Sequence, residues 1–208
     1  MSRKPASGVT TLRSLGRPKP RDGVSQARER ILMAAYELFS RQGVRAVGID
    51  TIIARADVAK MTFYHHFPSK DELVLAFLER REQLWTHQWL EAEVTRRATS
   101  PRDRLLAIFD VFDEWFQYDD FEGCSFINVL LEIFQPGPVR RATTSHLANI
   151  RVFLRGLAVA AGVSDSDDFA RKWHVLMKGS IVAAGEGDRL AARRAREVGQ
   201  LLLAAEFD

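Results

Sequence analysis

The chain has 208 residues, 46% hydrophobic and 27% charged, which suits a globular protein of one large or two small domains with a real core. Its one cysteine, Cys124, excludes an internal disulfide and a Cys-rich zinc site, and no run of about 18 apolar residues offers a transmembrane helix. Charge is uneven: residues 1–70 hold 13 Lys/Arg against 5 Asp/Glu, a formal +8, while the remainder holds 17 against 22, a formal −5. A basic first third on a mildly acidic body suggests a polyanion-binding head, although a solvated basic tail accounts for part of the +8. The basic N-terminus is not followed by the apolar stretch of a secretory signal, so a cytoplasmic protein is expected.

Residues 1–24, with Pro, Gly, Ser and Arg and little periodicity, read as a disordered basic arm. Within it Gly16-Arg17-Pro18-Lys19 suits a minor groove, or is plain flexible tail. From Ser25 the pattern turns helical. Ile31, Ala35, Leu38 and Phe39 share one face, and Gly43 stops that helix. Ile49, Ile52, Ile53 and Ala56 repeat the spacing, and Asp57-Val58-Ala59 form a turn. Phe63 and Phe67, four apart, give the next helix a buried face that ends at Pro68. Ser69 and Glu72 have capping-box spacing and open a long helix to about Arg97. Pro101 starts another to about Tyr118. Further helices fit Cys124–Phe134, Pro138–Ala161, Asp165–Gly185 and Arg189–Glu206. No alternating pattern of useful length favours strands. The expected fold is all-α, of about nine helices, divided into the arm (1–24), a helix-turn-helix head (25–85) and a larger body (86–208).

The chemistry concentrates between Ile49 and Lys70. Two short helices joined by a tight turn let the first hold the second at a fixed angle, so that the second can enter a major groove. Ile52, Ile53, Val58, Phe63 and Phe67 would hold that geometry. Lys60, Met61, Thr62, Tyr64 and His65 would face the DNA. Lys60 and Lys70 suit phosphates, Thr62 a base or a phosphate, and Met61 a thymine methyl; Tyr64 carries a hydroxyl on a rigid ring.

The string VGIDTIIARADVAKMTFYHHFPSKDELV resembles the DNA-binding head of TetR-family transcriptional regulators, over roughly Ser25 to Trp85. Two positions depart from the family's usual pattern. Asp57 stands where Gly is frequent, and Asp tolerates a left-handed backbone better than most residues, so the turn is expected to survive. Val47 and Gly48 stand where Ser or Thr often caps the second helix and reaches a phosphate; Thr51 or Arg45 would have to replace that contact. The resemblance implies a homodimer on a palindromic double-stranded operator, acting first of all as a repressor, with activation as the alternative.

It also implies that the last two helices pair with their dimer mates. Gly179, Ser180, Ala183, Ala184 and Gly185 would permit close approach, with Leu176, Ile181, Leu190, Val198, Leu201, Leu202 and Leu203 as apolar packing. An ordinary intramolecular pair is the alternative. An effector pocket is implied among the middle helices, where aromatics and scattered polar groups occur together. Phe109, Phe112, Trp115, Phe116, Phe126, Asn128, His146 and His174 are the candidate ligand contacts, for an apolar or aromatic small molecule; for any single one of them, as for Phe134 and Phe153, core packing is the readier explanation.

Other classes have less support. Cys124 with His146 or His174 could imitate a nucleophile and base, but no Gly-rich elbow or orienting acid accompanies them, so the chain is not expected to be an enzyme. His65 and His66 are adjacent and cannot share a helix face, and His87, His146 and His174 are scattered, so neither a metal nor a cofactor is expected. A sequence-nonspecific nucleic-acid-binding protein remains compatible with the basic head.

Overall fold

The computed structural model describes residues 25–207. The expected arm, including Gly16–Lys19, lies outside them. Helix α1 (Gln26–Gln42) stops at Gly43, whose φ of 81° glycine adopts without steric penalty. Helix α2 (Ile49–Ala56) ends at Asp57, and α3 (Lys60–His66) stops at Phe67, ahead of Pro68. Helix α4 begins as an α-helix over Lys70–Arg81, opened by the Glu72 backbone N–H donating to Ser69 Oγ at 3.2 Å. It then widens into a π-helical stretch over Glu82–Glu91 and returns to α over Ala92–Arg97. Helix α5 (Pro101–Trp115) has Pro at its first turn and Ser100 as its cap, accepting from the Asp103 N–H at 3.1 Å. There follow α6 (Ser125–Glu132), α7 (Pro138–Ala161), α8 (Ser166–Gly185, capped by Asp165) and α9 (Ala191–Ala204). Among the described residues there are nine helices and no strand.

In the bounds and winding of the helices, the differences from expectation lie at ends and in the π stretch. Helix α5 closes at Trp115 rather than near Tyr118, because Gln117 and Tyr118 bond back three residues, to Glu114 and Trp115, instead of four. The last helix tightens in the same way at Glu206 and Phe207, which bond to Leu203 and Ala204.

The chain divides into two compact units between Phe77 and Leu78, inside α4. In the first, Ile31, Ala35 and Phe39 of α1 are buried together with Ile52, Phe63, Phe67 and Phe77. Phe77 takes the edges of Tyr36 and Phe39 at 5.6 and 5.5 Å. In the second, Trp85, Trp89, Phe112, Trp115, Phe116 and Phe121 form one continuous aromatic cluster. Burying rings of this size supplies most of what opposes the chain's conformational entropy. Phe109, Trp173 and Phe169 make a second stack.

Helix α9 comes close to this second stack through Gly199. A Cβ there would lie 2.8 Å from Trp173 Cη2 and 3.2 Å from Phe109 Cε2. Helix propensity alone favours Ala over Gly by about 1 kcal/mol. Gly199→Ala is nevertheless expected to destabilise the protein by ~1–2 kcal/mol, because both rings are enclosed and must shift. A lowered urea midpoint checks this; a raised one means the rings have room to move.

Candidate functional site

The head is built from the turn outward. Asp57 has φ 51° and ψ 59°, the left-handed conformation expected of it. Its N–H donates to Ala54 O, and the Val58 N–H to Ile53 O. With the chain reversed there, Phe63 and Phe67 enter the core beside Ile52, while Ile53 and Val58 are half-buried. The opposite face of α3 is left to solvent. Met61 is 81% exposed and Tyr64 39%; Lys60 and His65 are also exposed, and Thr62 on the flank is half-buried. Tyr64 rests its ring against Phe63 at 5.3 Å, so it stands outward on a fixed base. His66 instead turns back, its Nε2 3.2 Å from Ser25 Oγ.

No acidic residue occurs in α3. A carboxylate near its outer face is that of Asp50, whose Oδ1 lies 3.9 Å from Lys60 Nζ, with both side chains largely exposed. Such a pair holds its partners weakly and yields to a phosphate at little cost. Arg45 and Thr51 are exposed, and Lys70 is half-buried at the start of α4. Gly48 caps α2 without a side-chain acceptor, and Val47 beside it is buried. The amino end of α2 therefore presents its first N–H groups with no side-chain cap.

In the second unit the candidate ligand residues separate into groups. Phe109, Phe112, Trp115 and Phe116 are fully buried along α5 with other rings against them. Asn128 is exposed and donates to Glu122 O at 3.3 Å. His146 stacks on Phe126 at 5.2 Å, with its Nδ1 2.7 Å from Glu82 Oε2. Glu82, carried by the π stretch, also accepts from Asn149 Nδ2 at 2.8 Å. His174 stands apart: it is 3% exposed and its Nδ1 has no hydrogen-bond partner. Burial first, then the charges of Lys178 and Arg151, push its pKa down to about 3.

Sequence reasoning missed Glu82, Asn149, Arg151 and Lys178. The available signal was spacing on a helix face: His146 with Asn149, and His174 with Lys178, are each one turn apart. Cys124 is buried, and burial raises its thiol above the ordinary value, the opposite of what a nucleophile needs. Among the described residues no group of three or more His, Cys, Asp or Glu side chains could hold a metal ion, and no helix is long and apolar enough to cross a membrane.

The family described as "Bacterial regulatory proteins, tetR family" matches residues 31–77, the head. A putative TetR transcriptional regulator from Streptomyces avermitilis has a solved structure 31% identical to this chain. It aligns with a TM-score of 0.77, covering 86% of this chain and 97% of that one. The chain belongs to the TetR family. A second TetR-family structure, from Streptomyces coelicolor, aligns with a TM-score of 0.78 at 27% identity, over 88% of this chain and 97% of that one. Among curated relatives, the transcriptional activator FasR of Mycolicibacterium smegmatis is 38% identical over 50% of this chain and 45% of its own length. The transcriptional repressor NemR of Escherichia coli K12 is 29% identical over 51% of this chain and 53% of its own length. The chain thus spans about half the length of the curated relatives it matches.

In this TetR-family chain, α8 and α9 carry an exposed apolar face that differs in part from the expected one. Leu190, Val198 and Leu201 point outward, the last 71% exposed. Ile181, Ser180, Ala184 and Leu203 are buried in the unit itself, Ser180 donating to Met177 O at 2.8 Å. Helical phase explains the exchange. His174, Met177, Ile181 and Ala184 follow the inward stripe, so Val175 (69% exposed), Gly179 and Val182 take the outward one.

Phe63→Ala is expected to cost about 3–5 kcal/mol, because it empties a fully buried site. Tyr64→Ala should cost less than about 1 kcal/mol. Chemical denaturation of the two variants compares them; equal losses would make Tyr64 part of the core.

His174 also predicts a pH dependence. Its folded pKa lies below its ordinary value of 6.5, so below pH 6.5 the unfolded chain binds the extra proton. The stability linked to neutral His174 is complete above that value and declines as pH falls toward 3. His174→Gln should flatten the fall in unfolding free energy between pH 6.5 and 3, by up to about 1.4 kcal/mol per pH unit. Parallel curves for wild type and variant, from urea titrations at several pH values, would contradict this.

Proposed function

We propose that this chain is an operator-binding transcriptional regulator that works as a homodimer and is released from DNA by a small molecule in its second unit. The observation that carries the reading is the acid-free outer face of α3. Lys60, Met61, Tyr64 and His65 stand out from a helix fixed from behind by Phe63 and Phe67. A short helix so presented suits a major groove, with Lys60 and Lys70 on phosphates and Met61, Thr62, Tyr64 and His65 toward base edges. Arg45, Thr51 and the open N–H groups of α2 serve the flanking phosphate, in place of a hydroxyl at Val47 or Gly48.

Dimerisation is supported by the outward Val175, Val182, Val198 and Leu201, an apolar surface of the kind that marks an interaction site. A two-fold protein calls for a two-fold operator, with reading helices in successive major grooves. Occupying such a site obstructs transcription without any further contact, so repression is the action assigned; a chromosomal target implies a cytoplasmic location. Release follows by population shift: an effector bound more tightly by the form that does not fit DNA draws the dimer into that form, by no more than its differential affinity. Helix α4, shared along the chain by both units, is the natural connection.

Selection from a random duplex pool should recover a palindrome bound about 10³-fold or more over random duplex at physiological salt. Equal binding to all duplexes would instead identify a nonspecific nucleic-acid binder. On the selected operator, Lys60→Ala should weaken binding to every duplex and lower the slope of log K against log salt by about one. An unchanged slope with an altered sequence preference would remove Lys60 from the phosphates.

A further inference from the structure

Within the second unit, three basic side chains lie within electrostatic reach of one another. His174 and Lys178 lie one turn apart on α8, and Arg151 comes from α7. The charges bearing on His174 are those of Lys178 and Arg151, and Arg151 also bears on Lys178. Arg151 spends one Nη1 bond on Leu147 O, at 3.3 Å in its own helix. His174 Nδ1 is buried and donates to or accepts from nothing. Burial and Arg151 together hold the Lys178 ammonium below its ordinary range. Holding two half-buried like charges near each other, with a buried polar nitrogen left unmatched beside them, is unfavourable.

The unit does not lack buried acids. Glu82 is buried, yet it is engaged by His146 and Asn149, while no carboxylate is among the charges bearing on His174 or Lys178. The arrangement thus keeps one acid–histidine pair closed and leaves one basic cluster open.

The geometry points to an anionic effector: a small organic molecule whose carboxylate is held by Lys178, Arg151 and His174. This rests on the reading of the second unit as the effector-binding one, and it adds the charge class of the ligand. The carboxylate would accept from the Lys178 ammonium and the Arg151 guanidinium, and from His174 Nδ1 in the tautomer that carries the proton there. Its charge relieves the repulsion among them. Affinity is then tied to the ionised group rather than to apolar area alone.

The test uses the full-length protein and matched probes, decanoate and phenylbutyrate each against its primary amide, which keeps the shape and removes the charge. Calorimetric titration should show the acids binding at least about tenfold more tightly than the amides. Lys178→Met should lose that preference, while raising the melting temperature of the ligand-free protein by removing the repulsion. Arg151→Gln is read in the same way and serves if Lys178→Met does not fold. Amides binding as well as acids, both variants keeping the acid preference, or no binding of either acid each overturns the proposal. Release of duplex DNA is measured with the same compounds. Amides that release DNA where acids do not leave the effector reading standing and the anion proposal defeated. Acids that bind through Lys178 yet leave DNA binding unchanged do the reverse.

Discussion

Asp57 carries the backbone through the left-handed region between α2 and α3, and the direction of every candidate DNA-reading side chain follows from that reversal. It is the only non-glycine residue at positive φ among the described residues. An L-residue bears a steric penalty there that Asp and Asn bear more lightly than others. Once the chain has turned, helical periodicity does the rest. Phe63 and Phe67 must go inward together, so Lys60, Met61, Tyr64 and His65 must go outward together. The outer face of α3 is thus a by-product of burying two rings, and no residue on it has to hold itself in place.

Much of this was legible in the sequence because the signals are local. Ser69, Ser100 and Asp165 each stop a helix from fraying by accepting a nearby N–H, and each does so one turn from a residue visible in the same short string. The apolar faces of α1, α2 and α3 are set by spacing alone. Less local features were not legible. The π stretch of α4 leaves no mark on apolar spacing, since Leu84, Trp85, Trp89 and Leu90 suit either winding. Glu82 meets His146 across 64 residues, a separation over which no spacing rule operates. On α8, a run of Gly, Ser and Ala beside Ile and Val gave little to choose between an inward and an outward stripe.

The protein treats its positive charges in two ways. Around α3 they are exposed, loosely paired and screened by solvent, as for Lys60 beside Asp50. Near His174 they are half-buried, with no carboxylate among the charges bearing on His174 or Lys178, so the surroundings lower the basicity of Lys178 and keep the imidazole neutral. The first arrangement suits a long polyanion met from outside. In the second, each charge weighs more, because less solvent is present to screen it.

The aromatic residues are divided between the units as sharply as the charges. All four tryptophans, Trp85, Trp89, Trp115 and Trp173, fall after Leu78 and are buried there, whereas the first unit holds only Tyr36 and Tyr64 among residues that emit in the near ultraviolet apart from phenylalanine. Indole emission is therefore an optical reporter of the second unit alone. Loss of structure in the head leaves that emission unchanged unless the disturbance travels along the chain, so a change in tryptophan signal on adding DNA is in itself a readout of communication between the two units.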